Sequence, residues 1–326
     1  MAKRRFEYLH GRPPPRAVYC VMVKFPNFFI IGAAKCGTTA LYLYLKQHPS
    51  IFMCPMKEPK FFANVNAPPR WLGPGDEQYQ RNTVTNLATY AALFHNADGE
   101  QALGEASTQY LYVERAAHEI KRYVPHAKLI AILRNPADAA YAAFMHKRRE
   151  NLEPLRDFAR ALGDEPKRER ENWSPFWFYR QRGLYYEHLL RYYGLFPKEQ
   201  IRVYLYEDFD ARPAKLMQDI FNFLGVDEAF VPDMSYRPNV SGIPRSRALH
   251  RLLMNLKPWQ RVLEGSPRSR VLGRALAGLK DLNLARPRMD TEVRAELLKG
   301  YREEILKLEG LLRRDLSHWL RDAPCV

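Results

Sequence analysis

The sequence predicts an α/β fold in which a single domain is built on a central parallel β-sheet flanked by helices. Short apolar segments of strand length alternate with segments of helical periodicity, which is typical of a parallel sheet wrapped by helices. A Gly-containing loop stands between the first apolar segment and the first helical one, as in P-loop-like folds. No Gly/Ser linker and no internal repeat divides the chain, so residues 23–326 are assigned to one domain.

The individual elements follow from these patterns in chain order. Buried strands are predicted at "FFIIG", "QALGEAS", "AKLIAIL" and "IRVYLYEDF", with a short apolar segment "SIFMC" after the first helix. Helices are predicted at residues 39–47, at "TYAALF", after Asn135-Pro136, at "GLYYEHLLRYYGLF", at "PAKLMQDIFNFLGV" and in the periodic C-terminal segment. Residues 64–80 carry the turn residues of a loop, and the region 232–290 is rich in Pro, Arg and Ser.

The composition restricts the function classes. The chain has 326 residues, is 46% hydrophobic and carries a formal net charge of +15, with a pI near 9.6. The hydrophobic content excludes disorder as the general state. The excess of positive charge favours polyanionic partners, namely nucleic acid, an anionic membrane, an acidic polysaccharide or a phosphate-rich cofactor. An equally simple interpretation is that many of these charges lie on solvated helix faces.

The cysteines and the termini indicate a cytoplasmic protein. The four cysteines form no Cys-x-x-Cys pair and have no histidines at metal-ligand spacing, so neither a disulfide framework nor a zinc site is predicted; they are Cys20, Cys36, Cys54 and Cys325. No apolar run reaches the ~18 residues that a membrane-spanning helix requires. Residues 1–22 are basic and Pro-rich without a signal-peptide core, and we expect a loose N-terminal arm.

The loop "GAAKCGTT" follows the first predicted strand and has the composition of an anion site. Its backbone N–H groups and the positive end of the next helix would surround an anion, and Gly32 and Gly37 permit a tight turn. Thr38 and Thr39 add hydroxyl donors and are expected to cap the helix. In a nucleoside-triphosphate loop a lysine immediately precedes the threonine, whereas Lys35 lies inside this loop. The loop is therefore a defective triphosphate loop, a turn without a ligand, or a phosphate loop for another donor.

Arg134 ends the buried strand "AKLIAIL". A guanidinium at the carboxyl end of a strand is well suited to bidentate binding of a phosphate. A structural salt bridge with Glu105 or Asp138 is the competing interpretation.

The segment "PMKEPKFF" places Glu58 between Lys57 and Lys60, with prolines on either side. On a constrained loop over the site, the carboxylate of Glu58 would accept a proton from an incoming hydroxyl. The alternative is an ordinary surface cluster of charges.

Taken in order, these motifs resemble the sulfotransferases that use 3′-phosphoadenosine 5′-phosphosulfate (PAPS), especially the branch of bacterial and heparan-sulfate-type glycan enzymes. The resemblance spans roughly residues 24–322 and is carried by "FFIIGAAKCGTTAL", "KEPKFF", "ALGEASTQYL", "LIAILRNPADAAYAAF" and "LKGYREEILKLEGLLRRDLSHWL". It implies the sulfotransferase fold and transfer of a sulfuryl group from PAPS to a hydroxyl or amine. It also implies carbohydrate as the preferred acceptor, 3′-phosphoadenosine 5′-phosphate (PAP) as the product, and no required metal.

The resemblance also assigns roles to residues. Lys35 is expected to touch the bridging and sulfonate oxygens of PAPS, Arg134 to bind the 3′-phosphate, and Glu58 to act as the base. The 5′-phosphate is expected on the loop at Cys36, Gly37, Thr38 and Thr39.

Two positions depart from the family pattern. Ala142 stands where members usually have a serine that contacts the 3′-phosphate, and Arg245 and Arg247 are candidates to replace that contact. Ala106 stands where the glycan branch commonly has a lysine. His146, in the helix after Arg134, is therefore kept as a second candidate for the base.

The acceptor and the alternative functions depend on weaker signals. Trp71 and the aromatic segment "WSPFWFYRQRGLYYEHL" could stack on sugars or line an acyl or phenolic pocket, although most of these rings are expected in the core. The net charge favours anionic glycans mildly; a nucleic-acid partner and stable membrane insertion are not expected. The competing functions are a P-loop small-molecule kinase and a non-catalytic polyanion-binding protein.

Overall fold

The computed structural model of the protein describes residues 24–235, 243–244, 246, 284–285 and 287–321. Its centre is a parallel sheet of five strands: β1 (Phe28–Gly32), β2 (Ile51–Met53), β3 (Ala102–Ala106), β4 (Lys128–Leu133) and β5 (Ile201–Leu205). The strand order is β2-β3-β1-β4-β5, and every neighbouring pair is parallel. The predicted α/β fold with a central parallel sheet is therefore confirmed.

The strands are apolar because helices cover both faces of the sheet. Every residue of β1 is buried, and in β4 only Lys128 is not fully buried. Such uninterrupted apolar runs are what a parallel sheet covered on both sides requires. β1 pairs with β3 on one side and with β4 on the other, with Ile30 opposite Ala106 and Ile130.

The helices of the described residues surround this sheet. They are α1 (Thr38–Leu45), α2 (Asp76–Arg81), α3 (Leu87–Ala92), α4 (Glu114–Tyr123), α5 (Pro136–Arg149), α6 (Phe158–Gly163), α7 (Glu165–Arg170), α8 (Tyr185–Leu195), α9 (Tyr206–Ala211), α10 (Pro213–Leu224) and α11 (Thr291–Leu312). Two short strands, β6 (Ile243–Pro244) and β7 (Leu284–Ala285), pair antiparallel within the region 232–290, where the sequence shows no clear element.

The ends of the helices follow from side-chain caps and from the segment that comes next. Asn135 caps α5 by accepting from the N–H of Ala137 at 3.0 Å, with proline at the first helical position. Asp290 caps α11 in the same manner. The segment "IRVYLYEDF", predicted as one strand, ends as a strand at Leu205, because Tyr206 already begins α9.

The C-terminal helix α11 is fixed against the body of the protein. The hydroxyl of Tyr301 donates to the carbonyl of Arg180 at 2.8 Å, and Arg294 pairs with Asp138 on α5. Asn135 also donates to the carbonyl of Trp319 at 2.8 Å, just after α11. The helix therefore lies beside the segment that follows β4.

The topology determines where a ligand binds. The chain runs from β1 to β2 and β3 on one side and then crosses to β4 and β5 on the other. In open parallel sheets the crevice lies at the carboxyl ends of the strands where the order reverses. The loops after β1, β3 and β4 therefore meet at one edge of the sheet.

Two further predictions concern the chain outside this core. In the described part of the chain, no helix has both the length and the apolar composition to cross a bilayer. The predicted arm, residues 1–22, lies outside the described residues.

Candidate active site

The loop between β1 and α1 is shaped by two residues with positive φ. Lys35 has φ of 68° and Gly37 has φ of 91°. A Cβ on Gly37 would lie 3.1 Å from the ring of Phe209 and 3.3 Å from that of Tyr206. Glycine is therefore required at position 37 both for the backbone angle and for the close approach of α9.

This turn leaves backbone donors without partners. In the part of the chain that the structure describes, no acceptor bonds to the N–H groups of Gly37, Thr38, Thr39 and Ala40. The prediction that the threonines cap α1 is wrong, because the N-cap is Gly37 and no side chain caps the helix. Thr38 and Thr39 are already helical, so their N–H groups and the positive end of α1 are free to bind an anion.

Cys36 differs from its neighbours in the loop. Its N–H donates to the carbonyl of Ala33 at 3.3 Å, and its thiol lies 3.8 Å from the hydroxyl of Tyr185. The side chain is fully buried, and burial raises the pKa of the thiol to about 11. Cys36 therefore packs the loop against α8 with a neutral thiol.

Lys35 is a half-buried cation near other cations. Burial, and to a smaller extent the charges of Arg149 and Arg182, lower the pKa of its ammonium to about 8 against the opposing effect of Glu150. Among the described residues, no carboxylate forms an ion pair with Lys35. Its charge is therefore stabilised best by an anion from outside the protein.

Arg134 follows β4 directly and is half-buried. Its guanidinium lies 5.0 Å from the ring centre of Tyr206. The salt-bridge interpretation is wrong, since Asp138 pairs with Arg294 and Glu105 accepts from two tyrosine hydroxyls. Within the described ranges no carboxylate pairs with Arg134, so its five donors remain available to a ligand.

Glu58 is held at the carboxyl end of β3. Its N–H donates to the carbonyl of Ala106 at 2.9 Å, and the N–H of Lys60 donates to Oγ of Ser107 at 3.0 Å. Both Glu58 and Lys60 have positive φ, 64° and 60°. Left-handed backbone at non-glycine residues is strained and is common at functional sites. The surface-cluster interpretation does not fit a segment anchored in this way.

The carboxylate of Glu58 has the state that a base requires. Its Oε1 accepts from the ammonium of Lys57 at 2.9 Å and from the hydroxyl of Thr108 at 3.2 Å. Burial alone would raise its pKa, but Lys57, Lys60 and the Thr108 bond more than offset burial and lower the pKa below its usual range. The group is therefore ionised at neutral pH and able to accept a proton.

Beneath Glu58 lies a second, inaccessible carboxyl group. Oε2 of Glu105 accepts from the hydroxyls of Tyr90 at 2.9 Å and Tyr110 at 2.6 Å. Burial raises the pKa of Glu105 to about 7. Ala106, in the place of the lysine of the glycan branch, is fully buried beside it. The positive charges that act on Glu58 therefore come from its own segment, from Lys57 and Lys60.

His146 is less suited to act as a base. Its Nδ1 lies 2.8 Å from the guanidinium of Arg149, and its Nε2 lies 3.3 Å from Oε1 of Glu150. Because a guanidinium only donates, Nδ1 must be the acceptor and Nε2 carries the hydrogen. Burial and then the charge of Lys35 lower the pKa of His146 to about 2. The imidazole is neutral with its lone pair occupied, so the geometry favours Glu58.

One cation of the candidate site has no signal in the sequence. Arg182 lies inside an aromatic segment whose residues are expected in the hydrophobic core. It nevertheless lines a small cavity together with Ala33 and Ala34 of the loop after β1. It sits 5.3 Å from the ring centre of Tyr112 and 5.4 Å from that of Phe176, and its buried Nε has no partner. Only the tertiary structure brings this cation next to Lys35.

Ala142 is buried on α5, whereas Arg245 and Arg247 lie outside the described residues. Over the described ranges, no group of three or more His, Cys, Asp or Glu side chains is arranged to hold a metal ion.

The assembled site is an anion cradle beside an ionised carboxylate. The ends of three adjacent strands supply unpaired N–H groups after β1, Arg134 after β4 and Glu58 at the end of β3. Lys35 and Arg182 add two further cations. Such an arrangement can bind a ligand with two anionic groups and remove a proton from a second ligand.

Comparisons with known proteins agree with this chemistry. A family model described as "Sulfotransferase family" matches residues 26–230. The crystal structure of a sulfotransferase from Alicyclobacillus acidocaldarius superposes with a TM-score of 0.74 at 35% identity, covering 92% of this chain and 100% of that one.

Longer relatives also match. The mouse (Mus musculus) bifunctional heparan sulfate N-deacetylase/N-sulfotransferases 3 and 4 are 30% and 29% identical over 313 and 309 residues, in each case 91% of this chain. The chain spans 31% of the length of each of these two relatives.

Proposed function

The chain belongs to the sulfotransferase family, and from that premise we propose that it transfers a sulfuryl group from PAPS to a carbohydrate hydroxyl or amine. The family, the fold and the enzyme class that the ordered motifs predict are confirmed by the matches. The proposal rests above all on one observation, the cradle of unpaired N–H groups with Arg134 and no pairing carboxylate in the described chain.

The donor is proposed to bind across the ends of β1 and β4. The N–H groups of Gly37, Thr38 and Thr39 hold the 5′-phosphate, and Arg134 holds the 3′-phosphate. Lys35 contacts the bridging and sulfonate oxygens. The support is electrostatic, since these groups are partly desolvated cations or unpaired donors and a polyanion satisfies them together.

Glu58 is proposed as the general base. It takes the proton of the acceptor hydroxyl or amine as the acceptor atom forms its bond to sulfur. The bond between sulfur and the bridging oxygen breaks, and its electron pair stays on the 5′-phosphate of PAP. Lys35, Arg182 and the loop N–H groups stabilise the negative charge that develops there.

The acceptor is proposed to be a carbohydrate. Support comes from the relatives, whose names state action on heparan sulfate, and from the net charge of +15. A kinase would need the Gly-Lys-Thr order that the loop lacks. A passive polyanion binder would not need an ionised Glu58 on a strained segment next to the cradle.

The direct test combines ligand binding with turnover. Thermal unfolding is measured with PAP in the presence of EDTA and, separately, with ATP and Mg²⁺. We expect stabilisation by PAP alone, followed by transfer of labelled sulfate from PAPS to members of a glycan panel. A response to ATP–Mg²⁺ without a response to PAP would overturn the proposal.

Residues 23–326 are proposed to form one domain with residues 1–22 as an appended arm. No linker interrupts the described elements from β1 to α10. A variant that lacks residues 1–22 should unfold in one transition at the temperature of the full chain. Two transitions, or a large loss of stability, would contradict the assignment.

The protein is proposed to work in the cytoplasm. Both cysteines in the described ranges, Cys36 and Cys54, are free and buried, as a reducing compartment permits. Fractionation of the source cells with an antibody to the protein tests this, and recovery outside the cytoplasmic fraction would contradict it.

A further inference from the structure

We propose that an open cleft next to the active site is an acceptor subsite that binds a polar, anionic sugar chain extending away from Glu58. The 70–81 cleft, named for the segment that forms it, has a volume of about 650 Å³. Its walls include two arginines, two amides, one carboxylate and two large apolar side chains, namely Arg70, Arg81, Gln78, Gln80, Glu77, Trp71 and Leu72. The inference rests on the proposed function, because it locates where the acceptor of that reaction lies.

The segment that forms the cleft, a loop that leads into α2, is held by hydrogen bonds at both ends. The side chain of Gln80 accepts from the N–H of Trp71 at 3.1 Å and donates to its carbonyl at 2.9 Å. Asn172 donates to the carbonyl of Arg70 at 2.8 Å, and its own carbonyl accepts from the N–H of Leu72 at 2.9 Å. The rim is therefore formed before any ligand binds, which reduces the entropy lost on binding.

A continuous row of side chains connects the cleft to the proposed base. The rings of Trp71 and Tyr79 lie 5.4 Å apart, and the ammonium of Lys60 lies 3.6 Å from the ring centre of Tyr79. Lys60 and Glu58 belong to the same anchored segment at the end of β3. The row therefore leads from Trp71 in the wall of the cleft towards the segment that carries Glu58.

The lining indicates the chemistry of the ligand. Sites for small apolar ligands such as steroids or phenols are mostly enclosed and lined by apolar side chains. This cleft is open, and its walls place two guanidinium groups, two amides and the carboxylate of Glu77 beside the apolar surfaces of Trp71 and Leu72. Trp71 is half-buried and offers one ring as a flat surface, while Leu72 is 74% exposed beside it. Arg70 and Arg81 suit carboxylate or sulfate groups on a sugar chain.

Arg81 is available to such a ligand. It pairs with Glu77 at 2.7 Å, one helical turn away, but both side chains are mostly exposed, at 66% and 80%. An exposed pair of this type is weak and readily exchanges its partner. The cleft therefore presents two arginines together with the ring of Trp71, and Arg81 is shared with the exposed Glu77.

The experiment measures how binding depends on the length of the acceptor. Fluorescently labelled oligosaccharides of alternating uronic acid and hexosamine, from two to eight sugars, are titrated into the full chain saturated with PAP. We expect affinity to increase with length in the unaltered protein. Trp71→Ala and the double variant Arg70→Ala/Arg81→Ala should each weaken binding of the octasaccharide about tenfold and remove the length dependence.

Two controls separate folding from binding. Trp71→Phe keeps an aromatic ring and should keep most of the affinity for the octasaccharide. Arg302→Ala removes an exposed arginine on α11, and we expect it to change nothing. Stabilisation by PAP in every variant shows that the donor site is intact.

The outcomes distinguish this inference from the proposed function. Equal affinity for two and eight sugars in the unaltered protein overturns the subsite, as does an unchanged length dependence in Trp71→Ala and the double-arginine variant. Neither result affects the proposed donor site if PAP still stabilises the protein. Failure of PAP to stabilise the unaltered protein overturns the proposed function instead.

Discussion

The backbone N–H of Glu58 donates to the carbonyl oxygen of Ala106 at 2.9 Å, so a residue far from β3 in the chain is fixed at the end of that strand. The buried rings of Phe61 and Phe62 hold the same segment from the other side, with Phe61 stacked on Tyr90 at 4.3 Å. The carboxylate therefore lies beside the loop after β1, although the sequence separates the two by a helix and a strand.

Glu58→Gln should remove the base while it preserves the shape of the site. We expect kcat to fall by about 10²- to 10⁴-fold and stabilisation by PAP to remain. His146→Ala is the matched comparison and should lower kcat much less. A large loss in His146→Ala beside a small one in Glu58→Gln would assign the base to His146.

The lowered pKa of Glu58 also predicts the acid side of the pH profile. A depressed carboxyl pKa means that the active, ionised form persists as the pH falls until the pKa itself is reached. We therefore expect the acid limb of kcat/KM to lie at a lower pH than the titration of an ordinary glutamate would give. An acid limb near pH 6 to 7 in the unaltered enzyme would contradict this assignment.

Binding of PAP should weaken at alkaline pH because of Lys35. Its pKa is about 8 in the free protein, so the ammonium that binds the anion loses its proton as the pH rises through this value. A bound anion favours the charged form, and hence the Kd of PAP should rise above about pH 8. Titration calorimetry from pH 6.5 to 9.5 measures the effect.

Lys35→Ala should bind PAP more weakly at pH 7 and lose this alkaline dependence. Lys46→Ala, at the other end of α1 and exposed, is the control and should keep the unaltered profile. The same alkaline dependence in Lys35→Ala would show that another group titrates.

Arg134→Ala should discriminate between nucleotides. If Arg134 binds the 3′-phosphate, its loss removes a charge-assisted bidentate contact, and the Kd of PAP should rise about 10- to 100-fold. Adenosine 5′-phosphate lacks the 3′-phosphate, so its Kd should not change. Equal loss of affinity for both nucleotides would mean that Arg134 acts on the loop and not on the 3′-phosphate.

A stability prediction concerns a buried ion pair outside the site. Glu153 accepts from Arg168 at 2.8 Å and 3.0 Å and from the hydroxyl of Tyr179 at 2.6 Å, and both charged groups are almost fully buried. Glu153→Ala leaves the guanidinium without its partner and should lower the free energy of unfolding by about 3–5 kcal/mol. Urea unfolding measures the change.

The exposed pair Glu77 and Arg81 supplies the control for that measurement. Glu77→Ala should change the free energy of unfolding by less than about 1 kcal/mol, because both groups remain hydrated. Similar losses in the two variants would contradict the large difference expected from burial.

Much of the fold could be predicted because its signals are local. The apolar runs of β1, β3 and β4 and the Gly-rich turn after β1 are contiguous in sequence, and burial on both faces of a parallel sheet demands such runs. The ordered motifs likewise predicted the family. The error at "IRVYLYEDF" is also local, because the aromatic and apolar residues that start α9 continue the pattern of β5.

The errors at the site have non-local causes. Thr38 and Thr39 are good capping residues, but a cap needs extended backbone, and here Gly37 occupies the cap position with φ of 91°. The sequence left open an ion pair between Arg134 and Asp138, which lies one helical turn away. In the structure the carboxylate of Asp138 pairs instead with Arg294 of α11. In both cases the local sequence does not reveal the cause, namely the backbone angle of Gly37 and the position of Arg294.

The sequence by itself determined the sheet, the Gly-containing loop after β1 and the family, because these depend on residues within a few positions of one another. Only the tertiary structure decided which charges remain unpaired. It places Arg182 where its charge acts on Lys35, and it brings the guanidinium of Arg149 to Nδ1 of His146. It also joins the N–H of Glu58 to the carbonyl of Ala106. The physical reason is that desolvation and Coulomb interactions act through space between segments, and the order of residues along the chain does not encode those distances.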